Sequence, residues 1–119
     1  MKVFLIVIAL LIPPTTILSA AELTWHFQSE YPYTVDVELY SASRSHVWPG
    51  NGKVWILDDY EQYDITITCQ SGEKICYGAW SRGNPSSAYW GVGPNNRHGC
   101  DDCCSTCGGG DTPLRTLVE

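Results

Sequence analysis

The sequence predicts an all-β protein: a small antiparallel β-sandwich or barrel with a cysteine-rich, irregular C-terminal segment. Three observations lead there. Apolar and polar residues alternate at period two over 33–40 and again over 64–69, the pattern of strands with one face against a core. Turn signals such as Asn51-Gly52, Ser71-Gly72 and Asn84-Pro85 separate the runs at short intervals. Beyond the first residues, no stretch carries apolar side chains at the 3.6-residue spacing of an amphipathic helix.

The chain opens with an export signal. Lys2 precedes an unbroken apolar run, Val3 to Ile12, and Pro13-Pro14 then break any helix. Ser19-Ala20-Ala21 supplies small residues for cleavage after Ala21. Such a run spans only about 15 Å as a helix, half of a bilayer core, so it reads as a leader and not an anchor. The expectation is a signal peptide over 1–21, a secreted or periplasmic product, and no stable membrane insertion after cleavage.

Removing 21 of the 119 residues leaves 98, one domain over 22–119 with the cysteine knot at 100–107. A chain of this length buries only about 60–70% of its unfolded surface, so cross-links matter to it. With Lys2 gone the formal charge falls from −6 to −7. That balance excludes nucleic acid as a partner and disfavours anionic lipid.

In chain order, an aromatic lead-in comes first, with Trp25, His26 and Phe27. The first strand places Tyr33, Val35, Val37 and Leu39 on an apolar face, and Asp36, Glu38 and Tyr40 on a polar one. Residues 41–52 read as a polar loop ending in Asn51-Gly52, where both residues tolerate positive φ. Residues 53–57 form a strand, 58–63 an acidic turn, and 64–69 a strand with Ile65, Ile67 and Cys69 on one face. A four-residue loop, 71–74, would then fold the strand at 75–80 back as a hairpin. A short strand at 88–92 follows, and no periodicity is visible from Asn95 onward.

In that hairpin Cys69 and Cys76 face each other across two strands, close enough for a disulfide. The four remaining cysteines, Cys100, Cys103, Cys104 and Cys107, have two readings. Cys-x2-Cys spacing occurs twice and could wrap a structural zinc ion. An even cysteine count in an exported domain favours disulfides instead, with fifteen possible pairings among six. A redox Cys-x2-Cys would need to open a helix beside a βαβ unit, and none is visible.

Five tryptophans and seven tyrosines are heavy for this length. Large rings fill the core of a small β domain in the ordinary case. Trp48, Trp80 and Trp90 sit in or beside turns, however, where a ring can anchor a protein or stack on a sugar. Arg44 and His46 share the loop of Trp48, and add a charge and a titratable ring to it. Asp58, Asp59, Glu61 and Asp64 match no calcium-loop spacing and read as a solvated turn. Asn84-Pro85 voids the one apparent glycosylation site.

No nucleophile elbow, zincin helix, phosphate loop or dinucleotide fingerprint is present. The residues therefore point to a binding module for a protein or carbohydrate partner, using Arg44, His46, Trp48, Trp80 and Trp90. A zinc-binding protein built on the 100–107 cluster is the alternative, and a small secreted hydrolase the third reading.

Overall fold

A computed structural model describes residues 19–119. The leader expected at the N-terminus lies almost wholly outside the described residues. Among the described residues, nine strands make two sheets, and one 3-10 turn, Pro94–Asn96, accompanies them. The three-stranded sheet has the order β5 (Gln62–Gln70), β1 (Ala20–Ser29), β9 (Leu114–Leu117), and it is mixed because β9 runs parallel to β1. The six-stranded sheet is antiparallel, with β2 (Val35–Ser41) and β6 (Lys74–Ser81) at its centre. β3 (Val47–Trp48) and β4 (Trp55–Leu57) share the far edge of β2; β7 (Tyr89–Gly91) and β8 (Cys104–Thr106) share that of β6.

The aromatic lead-in is itself a strand. Leu23, Trp25 and Phe27 point inward and are buried, while Thr24, His26 and Gln28 face out at period two. Its first pairs are Ala20 with Gln70 and Ala21 with Cys69, so pairing begins two residues ahead of Glu22. The two sheets close on a single core. Leu23, Trp25, Phe27, Ile65, Ile67 and Leu117 meet Val35, Val37, Leu39, Leu57, Ile75 and Tyr77. Trp25 and Phe27 stack with centroids 5.7 Å apart, and Tyr77 meets Phe27 edge-on at 5.4 Å. Each such buried side chain contributes about 1.5–3 kcal/mol. The Arg115 guanidinium from β9 lies 5.5 Å above the Tyr77 ring, where the electron-rich face attracts a cation.

Three sequence expectations change. The strand at 33–40 is not half-solvated: as a central strand it buries Val35, Val37 and Leu39 on one side and Asp36 and Tyr40 on the other. The loop at 41–52 contains β3, whose pairing Leu39↔Trp48 turns Trp48 into the core. The strands around residues 71–74 do not form a hairpin. Gln70 to Glu73 make a tight turn, with Gly72 at φ 83° and Glu73 N–H donating to Gln70 O at 2.9 Å, but the chain then crosses from one sheet to the other.

That crossing decides the disulfides. Cys69 lies opposite Ala21, not Cys76, and it bonds to Cys107. Cys76 lies opposite Cys104 across β6 and β8 and bonds to it. Cys100 and Cys103 close a local loop. The expected Cys69–Cys76 bond is therefore incorrect, because β5 pairs with β1 while β2 and β8 occupy the two edges of β6. The knot is likewise not a closed unit: Cys107 staples it to one sheet and Cys104 to the other. No described cysteine is free, so the four sulfurs proposed for zinc have no thiolate to offer. Asp102 lies near Cys100 and Cys103, but those two sulfurs are bonded to each other. Three disulfides belong to an oxidising, extracellular type of setting.

Candidate functional site

The outer surfaces of the two sheets differ in kind. On the three-stranded sheet, Thr24 bonds Thr66 at 2.9 Å and His26 bonds Asp64 at 2.6 Å, a polar surface satisfied within itself. On the six-stranded sheet the strand registers bring Asp36, Glu38 and Tyr40 of β2 beside Trp80, Gly78 and Cys76 of β6. Ile56, Val47 and Tyr89 extend this face from the neighbouring strands, and all three are exposed.

Gly78 shapes this face. A Cβ there would lie 2.2 Å from Gly93 O and 2.8 Å from the Tyr40 ring, so only a glycine lets the 93–98 segment lie down on the sheet. Asn95 and Asn96 follow at φ 57° and 53°, left-handed values that asparagine tolerates. The segment is pinned at two points: Asn95 N–H donates to Tyr40 Oη at 3.0 Å, and the His98 ring stacks on Tyr89 at 3.9 Å. It forms a ridge between two hollows that share Asn95.

The first hollow, about 400 Å³, has Glu38, Tyr40, Arg44, His46, Asn95 and Asn96 in its lining. Among the described residues the Glu38 carboxylate has no ion pair and no hydrogen-bond partner. Burial, and then the Asp36 carboxylate, raise its pKa above the ordinary value. Burial, followed by the Glu38 charge, pushes the Tyr40 phenol up to about 12, so it keeps its proton and can donate. The hollow thus offers an acceptor with unused lone pairs and several donors in one place.

The second hollow, about 450 Å³, is lined by Trp80, Pro85, Ser86, Arg97 and His98. Arg97 makes no ion pair among the described residues, in contrast to Arg82, which holds Asp36 at 2.7 Å. A third hollow, about 540 Å³, lies at the end of the sandwich beside Tyr31, Tyr33 and Asn84.

The sequence-selected residues therefore part company. His46 and Arg44 line the first hollow, Trp80 the second, and Trp90 stands apart, edge-on to Tyr31 at 5.2 Å with its Nε1–H donating to Val118 O at 2.8 Å. Trp48 is only 8% exposed and cannot meet a partner. It backs the loop instead: Nε1–H donates to Thr68 O at 3.1 Å, and His46 stands on its ring with centroids 4.4 Å apart. The Arg44 charge is also committed, to Glu73. Glu38, Tyr40 and Asn95 were missed. The first two stood on the polar face of a recognised strand; Asn95 gave no signal, because its place depends on Gly78, which lies in a different element.

Asp59 of the acidic turn and His26 are committed to contacts within the fold. Asp59 accepts the Tyr63 hydroxyl at 2.6 Å and the Glu61 N–H at 3.1 Å. Both ring nitrogens of His26 face carboxylates, so neither is open to take a proton from a nucleophile. Comparison with known proteins yields no relative: no family model, no curated protein and no solved structure matches this chain.

Proposed function

We propose that this small disulfide-linked β domain is an exported binding module that takes a saccharide on the outer face of its six-stranded sheet. The observation that carries the reading is the half-buried Glu38 carboxylate, unpartnered among the described residues, in a hollow that also presents Tyr40, His46, Asn95 and Asn96. A carboxylate accepts from hydroxyl groups, and amides and a phenol can both give and receive. Next to it, Trp80 offers an aromatic surface in a second hollow of similar size. Several hydrogen-bonding side chains around Glu38 with one flanking ring suit a polyhydroxylated ligand better than an apolar protein anchor.

The test is a glycan array probed with the oxidised protein and with Glu38→Gln and Trp80→Ala. Saccharide retention by the parent, weakened at least about tenfold in both variants, supports the reading; a truncated anchor at a binding site costs more than about 1.4 kcal/mol. No retained glycan, or retention unchanged in both variants, would sink it.

A further inference from the structure

We propose that His26 is a proton-operated clasp that holds the strap between Cys107 and β9 against the outer face of the three-stranded sheet. The strap, residues 108–113, runs from the Cys69–Cys107 staple to Leu114. At its near end Gly108 and Gly110 take φ of 86° and 101°, left-handed values that favour glycine. It is fixed near its far end by three contacts on β1: Thr112 N–H to Thr24 O at 3.0 Å, His26 N–H to Thr112 Oγ1 at 3.4 Å, and His26 Nε2 to Asp111 Oδ2 at 3.2 Å.

On its other side the same ring meets Asp64 of β5, with Nδ1 2.6 Å from Oδ1. A neutral imidazole carries one N–H, and can donate to only one of these carboxylates. The second nitrogen would then turn a lone pair toward an anion. Only the doubly protonated ring satisfies both, so the observed geometry belongs to the imidazolium. The charged groups facing the ring are Asp64 from β5 and Asp111 from the strap; Gln62, Thr66, Thr112 and Leu114 add none. The hydrogen bond to Asp64 is the largest influence raising the His26 pKa, with Asp111 adding to it.

Loss of the proton leaves the shorter Asp64 bond in place and gives up the Asp111 contact, because Asp111 is the more exposed carboxylate and sits on the strap. The remainder of β9 stays docked through buried Leu117 and through Glu30 N–H donating to Leu117 O at 2.8 Å. The opening is therefore confined to the strap, and it uncovers the main chain of β1 around Thr24 and His26.

The experiment is NMR on the full oxidised chain between pH 5 and 9. It follows the His26 ring resonances and the exchange of the Thr112 amide, corrected for its intrinsic base dependence. The clasp requires a His26 midpoint above 6.5 and an opening of Thr112 with that same midpoint. Opening should rise about tenfold for each pH unit by which Asp111 raises the midpoint. Asp111→Asn should lower the midpoint and remove the step in exchange. A corrected Thr112 rate that stays flat through the His26 titration overturns the proposal, as does an Asp111→Asn midpoint equal to the parent's.

Discussion

Arg44 and Glu73, twenty-nine residues apart, form a two-point ion pair in which Nε–H donates to one carboxylate oxygen and Nη2–H to the other, the latter at 3.1 Å. Glu73 is only 4% exposed, and also accepts the Ser41 hydroxyl at 2.6 Å and the Gln70 N–H at 3.0 Å. One carboxylate thus fastens the loop after β2 to the turn that carries the chain between sheets. Cys107 N–H donates to the Glu73 carbonyl at 2.8 Å and brings the disulfide segment to the same point.

Glu73→Gln should destabilise the fold by about 2–3 kcal/mol, since it leaves Arg44 without its counter-charge and mismatches a buried donor set. Urea unfolding of the oxidised protein measures this. Arg44→Ala should be comparably harmful, whereas its loss would hardly matter if Arg44 were a free recognition residue.

The Arg44 hydrogen bonds hold the Glu73 carboxyl down at about 2, against an ordinary 4.5. A depressed folded pKa contributes stability that is complete above 4.5 and lost as the pH falls toward 2. Unfolding midpoints taken between pH 6 and pH 2 should therefore drop steeply in the parent and less in Glu73→Gln. Parallel curves would show that the acid sensitivity lies elsewhere.

Trp48→Ala should cost about 3–5 kcal/mol, the range for emptying a ring site in a core. Any loss of binding by this variant should follow unfolding and disappear in Trp48→Phe under folding conditions. Near-ultraviolet circular dichroism beside the binding assay separates the two effects.

Glu38→Gln should change stability by less than about 0.5 kcal/mol, and in the stabilising direction at neutral pH. The raised folded pKa means that ionising Glu38 works against the fold as the pH rises past 4.5. A large destabilisation would show that the carboxylate has a structural partner.

Partial reduction and peptide mapping should return Cys69–Cys107, Cys76–Cys104 and Cys100–Cys103. Replacing Cys69 and Cys107 together by Ser should cost about 3 kcal/mol, because the Cys76–Cys104 bond nested within it shortens the loop that this bond closes to about ten residues. A peptide joining Cys69 to Cys76 would contradict the crossing of the chain between sheets.

Local pattern was enough for the all-β class and for most strands, because alternation records which side chains face a core without saying which strand lies alongside. Val35, Val37 and Leu39, and Ile65, Ile67 and Cys69, were legible for that reason. Pairing was not. A turn at Ser71-Gly72 looks the same whether its strands pair or part, and only the competition of β1 for β5 and β2 for β6 separates Cys69 from Cys76. The candidate site depends on the same step. Glu38, Trp80 and Asn95 come from three separate segments, and they share one face because β2 pairs with β6 and because Gly78 leaves room for the segment after Gly93. Composition and periodicity determined that this chain is a cysteine-rich β domain whose strands carry an apolar face; long-range hydrogen-bond registers, which no short window of sequence contains, decided the disulfides, the burial of both faces of β2, the burial of Trp48 and the hollows beside Glu38 and Trp80.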